Sequence, residues 1–417
     1  MARKHWLGLS LVILSAFGNL MVQAIPPVII VPGIGGSQLQ ASLNRSRTLH
    51  WWCDKKYGWY TLWLNLEEFV APPLVECWTD DMKLVYNKST ERMENTPGVF
   101  IRVPGFGDTS SIEYLDPALS HPGEYFAPFV ESLVDKFGYV RGKSIRAAPY
   151  DFRFGPEYAN EYFAKLKKLI ETTFAENKNK RILLVSQSMG CPYSLLFLYR
   201  QTQEWKNKYI ASWITISGPW GGAVKSLRAY ISGDPFGVPS LLDSPVLMRA
   251  AQRTYTSLAF IRPAEGFWGP DEVLVQNEFR NYTVKDYDAL FTDIGFELGS
   301  KLIRKSLPSW TETPPGIPLH CLHGSGRKTP GQLYYGPGDF PDEQPYVKHD
   351  DGDGTVNLRS LKGCLKWKNS TKQPLNDKEY PGAEHNGILG DDRLIKDVFK
   401  IIETLINEQA ILDNTTW

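Results

Sequence analysis

Ser188 stands in the run Ser186-Gln187-Ser188-Met189-Gly190, directly after the apolar stretch Ile182-Leu183-Leu184-Val185 and just before a helical pattern from Pro192 to Arg200. Strand, sharp turn and helix in that order form the setting G-x-S-x-G, in which a serine hydroxyl is raised clear of the backbone for nucleophilic attack. Residues two places either side of the serine must be small, or strand and helix could not approach. Gly190 meets this, and Ser186 is small enough in place of the first glycine. Attack on an ester also needs two backbone N–H donors for the developing oxyanion, one from the residue after the nucleophile and one from an earlier strand–helix loop. Met189 offers the first. Pro32-Gly33-Ile34-Gly35-Gly36-Ser37, following the buried-strand pattern Val28–Val31, offers the second through Ile34, since its glycines let a substrate come close to the backbone.

A strand–turn–helix nucleophile implies an acid and then a histidine further along the chain, as in α/β-hydrolases. Of seven histidines, four follow Ser188: His320, His323, His349 and His385. His320 and His323 flank Cys321 on an expected strand and read as core or loop residues. Asp350-Asp351-Gly352-Asp353-Gly354-Thr355-Val356 is a tight acidic turn suited to the acid, and only His385 lies beyond it, in a turn before the last helix. Asp353 is the expected acid, with Asp351 as the alternative. His385 takes the Ser188 proton, and the carboxylate fixes its tautomer and stabilises its cation. The acidic run also invites a calcium-loop reading, but the EF-hand spacing fails; no metal and no cofactor is expected.

Strands that alternate with helices (Phe126–Phe137, Tyr162–Phe174, Leu394–Ile406) predict an α/β fold with a mostly parallel sheet covered on both faces. With 417 residues, 42% hydrophobic and 22% charged, the chain has enough apolar material for a large core. Lys plus Arg and Asp plus Glu number 46 each, which argues against a nucleic-acid partner. Residues 1–24 read as a signal peptide: Arg3 and Lys4, an uncharged run from Trp6 to Gly18, then Val22-Gln23-Ala24. Sequons at Asn44, Asn87, Asn281, Asn369 and Asn414, with five cysteines, fit the secretory pathway, ending in a lysosome or outside the cell. Several cysteine pairings are open. The simplest joins Cys53 to Cys77 and Cys321 to Cys364 and leaves Cys191 free.

Residues 51–79 change character, crowded with Trp and Tyr and broken by Pro72-Pro73. From here the sequence resembles the lecithin:cholesterol acyltransferases and their lysosomal phospholipase A relatives over nearly the whole mature chain. The stretches that carry the likeness include Trp63-Leu64-Asn65-Leu66, Val103-Pro104-Gly105-Phe106-Gly107, Ala148-Pro149-Tyr150-Asp151, Gly218-Pro219-Trp220-Gly221-Gly222 and Asp351 to Val356. Asn281-Tyr282-Thr283, Asp293 to Phe296 and Asn357-Leu358 look closer to the lysosomal branch. The resemblance implies an α/β-hydrolase core (25–50, 80–220 and 319–412), a membrane-binding lid insertion (51–79) and a cap (221–318) that forms an acyl-chain groove. It implies the triad Ser188, Asp353 and His385, oxyanion amides at Ile34 and Met189, and disulfides Cys53–Cys77 and Cys321–Cys364. It also gives Trp51, Trp52, Trp59, Tyr60, Trp63 and Leu64 a role at a phospholipid membrane or lipoprotein surface, where amphipathic rings suit an interface.

Two positions depart from the family pattern. Gln187 replaces the usual histidine before the nucleophile, and Ile34 replaces an aspartate or asparagine in the oxyanion turn. A backbone amide survives the second change, and the lost carboxylate predicts activity that extends toward neutral pH. The activity implied is that of a serine phospholipase A that passes an acyl group from a glycerophospholipid to water or a lipophilic alcohol, with no required protein partner evident. Sterol acylation, neutral-lipid hydrolysis and a catalytically dead lipid carrier are the competing readings.

Overall fold

The computed structural model describes residues 25–69, 71–118, 123–237 and 245–415. The expected signal peptide at 1–24 and the side chain of the Asn414 sequon lie outside the described residues. At the centre is a six-stranded sheet of β1 (Val28–Val31), β2 (Ile145–Ala147), β3 (Ile182–Gln187), β4 (Ile210–Ile216), β5 (Leu319–Ser325) and β6 (Leu375–Pro381). Its order is β6-β5-β4-β3-β1-β2, and every neighbouring pair is parallel. The short Val/Ile/Leu-rich runs are buried on both faces, as a parallel sheet requires. Alternation sorts their side chains: Ile29, Val31, Ile182 and Leu184 enter one core cluster, and Val28, Ile30, Leu183 and Val185 enter the other.

Helices cover both sides. α1 (Ala127–Phe137) and α4 (Asp392–Thr415) pack on the second cluster, and α2 (Asn160–Glu176) and α3 (Gly190–Tyr199) on the first. α1 and α2 bury one stripe each. α3 is apolar almost all round, because the sheet lies beneath it and other residues, such as Phe260 against Tyr193, pack on it. The turns bearing Ile34, Ser188 and His385 follow the C-terminal ends of β1, β3 and β6, the edge at which open parallel sheets bind their ligands, whereas Asp353 follows another strand, Tyr346–Gly352.

Two units outside the sheet differ from the expected limits. The aromatic segment forms a strand, Lys56–Trp63, paired antiparallel to Leu39–Asn44, which in turn pairs with Val99–Arg102. This layer therefore draws in residues before 51 and after 79. A disulfide joins Cys53 to Cys77 on the helix Pro72–Met82, and a second joins Cys321 to Cys364, while Cys191 is free and buried. The hairpin Arg327–Tyr334 and Tyr346–Gly352 leaves the core: Val275–Gln276, within the 221–318 stretch, pairs with its first strand. Among the described residues no helix is long and apolar enough to cross a membrane.

Candidate active site

Ser188 has φ +52°, a left-handed conformation that costs a non-glycine residue strain and recurs at functional turns. Its backbone N–H donates to Ile216 C=O (2.8 Å), which holds the turn over the neighbouring strand. Gly190 is needed for close approach, since a Cβ there would lie 2.4 Å from Val31 O and 2.5 Å from Pro32 O. Ser186 is tolerated for a different reason. Its hydroxyl accepts from Trp213 Nε1 (3.0 Å) and bonds Ser194 Oγ (2.8 Å), so no buried polar group is wasted. Cys191, three residues on, has a thiol that burial pushes well up, which leaves it inert.

His385 Nε2 lies 2.9 Å from Ser188 Oγ, and His385 Nδ1 lies 2.7 Å from Asp353 Oδ2. The other carboxylate oxygen accepts from Thr355 N (3.0 Å) and Val356 N (2.8 Å). Burial alone would raise the Asp353 carboxyl. The facing imidazole and these hydrogen bonds outweigh it and hold the acid below its ordinary value, hence ionised. His385 N–H also donates to Asp353 C=O (2.9 Å), so backbone as well as side chain joins the two loops. The alternative acid, Asp351, is exposed and accepts from Gly326 N instead. His320 is pushed down to about 4 by burial, His323 is buried beside Asp377, and His349 is exposed, so none of them approaches the serine.

Ile34 occupies the second position of a turn closed by Gly36 N–H on Gly33 C=O (3.1 Å), where its own N–H is not needed by the turn. Met189 caps α3, where N–H groups lack intrahelical acceptors. Ile34, Ser188, Asp353 and His385 line one cavity of about 860 Å³, walled elsewhere by apolar groups such as Leu258, Ile261 and Phe236 and by charged ones such as Lys225, Arg327 and Glu384. A volume of this size accommodates a long acyl chain with part of its head group. Among the described residues no cluster of His, Cys, Asp or Glu could hold a metal.

The aromatic set divides. Trp51 is 89% exposed, Trp52 and Trp59 are partly exposed, and Tyr60 is half-buried with its hydroxyl donating to Asp81 (3.0 Å). Trp63 and Leu64, expected at a lipid surface, are instead 3% and 6% exposed. The Trp63 indole donates to Gly35 C=O (2.7 Å) and its ring packs on Phe69, Trp78 and Phe152, and both residues line the catalytic cavity. Trp63 thus braces the Gly33–Gly36 turn from within. Tyr125, which accepts a hydrogen bond from Gly33 N–H, carried no motif and was missed, and Gln187 stood out only as a departure. Of the sequons, Asn44, Asn281 and Asn369 are exposed, whereas the Asn87 amide nitrogen donates to Glu94.

The family model described as Lecithin:cholesterol acyltransferase matches residues 59–307 and 300–392. Among curated proteins the chain is 41% identical over 387 residues to "Lysosomal phospholipase A and acyltransferase" of Canis lupus familiaris, covering 92% of this chain and 93% of the relative. It is 42% identical over 368 residues to "Phosphatidylcholine-sterol acyltransferase" of Gallus gallus, covering 86% of each. It is also 38% identical over 403 residues to "Lecithin-cholesterol acyltransferase-like 1" of Arabidopsis thaliana, covering 92% of this chain and 91% of the relative.

Proposed function

The chain belongs to the lecithin:cholesterol acyltransferase family and is an acyl-transferring hydrolase, and on that footing we propose that it is a phospholipase A with O-acyltransferase activity whose nucleophile is Ser188. One observation carries this: the unbroken chain Ser188 Oγ, His385 imidazole, Asp353 carboxylate at 2.9 and 2.7 Å, on the wall of a cavity with both apolar and charged lining. His385 takes the Ser188 proton as the oxygen attacks a glycerophospholipid ester carbonyl, and Asp353 stabilises the imidazolium. The Ile34 and Met189 amides receive the oxyanion. Collapse expels the lysophospholipid, whose oxygen takes the proton from His385, and leaves the acyl group on Ser188. Water or a lipophilic alcohol then gives its proton to His385 and carries the acyl group away, while Ser188 Oγ leaves and takes the proton back from His385.

The exposed rings of Trp51, Trp52 and Trp59 bring this cavity to a phospholipid membrane or lipoprotein surface. The secretory route, ending in a lysosome or outside the cell, is part of the same proposal. The test uses phosphatidylcholine liposomes containing either ceramide or sterol, with the acylated product identified. Acylceramide and free fatty acid are expected, whereas steryl ester as the main product favours the phosphatidylcholine–sterol reaction. Ser188→Ala should abolish fluorophosphonate labelling and lower kcat by roughly 10⁶, the scale of losing an acyl-enzyme nucleophile. Turnover by this variant at the wild-type rate would refute the serine assignment.

A further inference from the structure

Three loops meet above the sheet, and two side chains join them. Gly33 N–H donates to Tyr125 Oη (3.0 Å), Tyr125 Oη–H donates to Gln187 Oε1 (2.5 Å), and Gln187 Nε2–H donates to His385 C=O (3.1 Å) and Asn386 Oδ1 (3.4 Å). Tyr125, Gln187 and His385 are all buried. We propose that Tyr125 and Gln187 are positioning residues that lock the oxyanion turn to the loop bearing the catalytic base through groups that carry no charge. The proposal rests on the serine reading above.

Each link uses the donor or acceptor its partner lacks. A phenol both accepts and donates, and a carboxamide offers one oxygen and one NH₂, so the bridge runs in one direction without an unpaired group. Tyr125 consumes the Gly33 amide, which leaves Ile34 as the next N–H that the turn can offer to an oxyanion. Contact is tight as well as bonded: a Cβ at Gly33 would lie 2.6 Å from Gln187 Oε1 and 2.7 Å from Ser188 Cβ. On the far side, residue 385 is gripped twice, through its C=O by Gln187 and through its N–H by Asp353. The distance between oxyanion donors and base is thereby set by two side chains that never touch the substrate's reacting atoms. A misplacement on the order of 1 Å costs up to about a hundredfold in rate.

Histidine at 187 reproduces this only when neutral, with one nitrogen accepting from Tyr125 and the other donating to His385. The imidazolium has no acceptor, loses the Tyr125 bond, and sets a positive charge beside the base. The titratable groups around the bridge are His385 and Asp353 on the base side, Cys191 and Tyr150 behind it, and Glu124 and Glu384 along the cavity wall. Burial holds Tyr125, Tyr150 and Cys191 protonated, and Asp353 is ionised, so the bridge itself has nothing that titrates between acid and neutral pH.

The experiment measures kcat and KM on a soluble ester for Tyr125→Phe, Gln187→Met and Gln187→His, with thermal melting to verify folding. Tyr125→Phe and Gln187→Met should lose about tenfold or more in kcat with KM within about twofold, as expected for displaced catalytic groups. Gln187→His should recover most of the kcat at pH 7.5 and keep it as pH drops to about 5, because burial at this position disfavours the imidazolium, as it does at His320. Folded Tyr125→Phe with wild-type kcat, or Gln187→His no more active than Gln187→Met, overturns the proposal. Should Gln187→Met not fold, Tyr125→Phe, which keeps the ring, decides. Wild-type protein that fluorophosphonate does not label is the separate failure of the serine reading.

Discussion

Asp353 and Asp81 are both buried beside a positive or chargeable partner, yet they hold their protons in opposite ways. Burial is the largest influence on each and pushes both carboxyls up. At Asp353 the His385 imidazole, its hydrogen bond and the Val356 and Thr355 amides reverse that push, and the acid lies below its ordinary value. At Asp81 the chief partner is the Arg45 guanidinium, which is shared with Asp80 on the adjacent residue, and the carboxyl is pushed up to about 6. Supply of donors makes the difference. Three donors serve one carboxylate at the site, whereas below the aromatic layer two adjacent carboxylates divide an arginine, with Lys83 added on the Asp80 side and the Tyr60 hydroxyl on the Asp81 side. The first arrangement suits the imidazolium that the proposed mechanism forms during turnover. The second anchors a strand and a helix, and is crowded with like charge.

The largest effect should come from disturbing the well-supplied acid. Asp353→Asn keeps the shape but removes the charge that fixes the His385 tautomer, and kcat should fall by roughly 10³–10⁴. Stability should change far less than activity, read by thermal melting beside the rate on a soluble ester. A variant with kcat within tenfold of wild type would mean that the carboxylate is merely structural, like Asp81.

Next in size is a contrast inside the aromatic layer. Trp51→Ser with Trp59→Ser removes exposed rings, and activity on liposomes should drop by tenfold or more, about 1.4 kcal/mol of surface binding per decade. On a soluble short-chain ester the same protein should stay near wild type. Trp63→Ala should behave otherwise. It empties a core site at a cost of about 3–5 kcal/mol and frees Gly35 C=O, so both substrates suffer alike and the melting temperature falls. Equal losses for the exposed pair on both substrates would count against the interfacial role.

That contrast also shows where the sequence is informative. Ser188, Asp353 and His385 were legible because strand, turn and helix are local, and because chain order leaves one histidine after one acidic turn. The β-branched runs of β1, β3 and β4 were legible for the same reason. Trp63 was not. Tryptophans four residues apart on one strand, Trp59 and Trp63, look alike in a line of text, and what separates them is a tilt of the strand from solvent into the core against Phe69, Trp78 and Phe152. The hairpin 327–352 was read as core because it lies between two core elements, and its pairing with Val275–Gln276 is a contact no local pattern records. Tyr125 is harder still, since a buried tyrosine with two partners carries no signature apart from the loops it joins.

The smallest effect, and the most direct test of the two aspartates, lies in the pH dependence of stability. Because Asp81 holds its proton more tightly folded than unfolded, its contribution is fully present below the ordinary aspartate value near 4. That contribution is lost as pH rises through about 6. Asp80 runs the other way: Lys83 and Arg45 overcome its burial and lower it, so its contribution disappears only when pH falls below the ordinary value. Between pH 4.5 and 7.5 the Asp81 trend should be accompanied in the same direction by Glu68, whose carboxyl burial and the Asp81 charge also raise. Melting temperatures of wild type and Asp81→Asn, compared at both pH values, should show wild type gaining relative to the variant at the acidic end. A constant difference across that range would mean that Arg45 keeps both carboxylates ionised, and the aromatic layer would then rest on an anchor insensitive to acid.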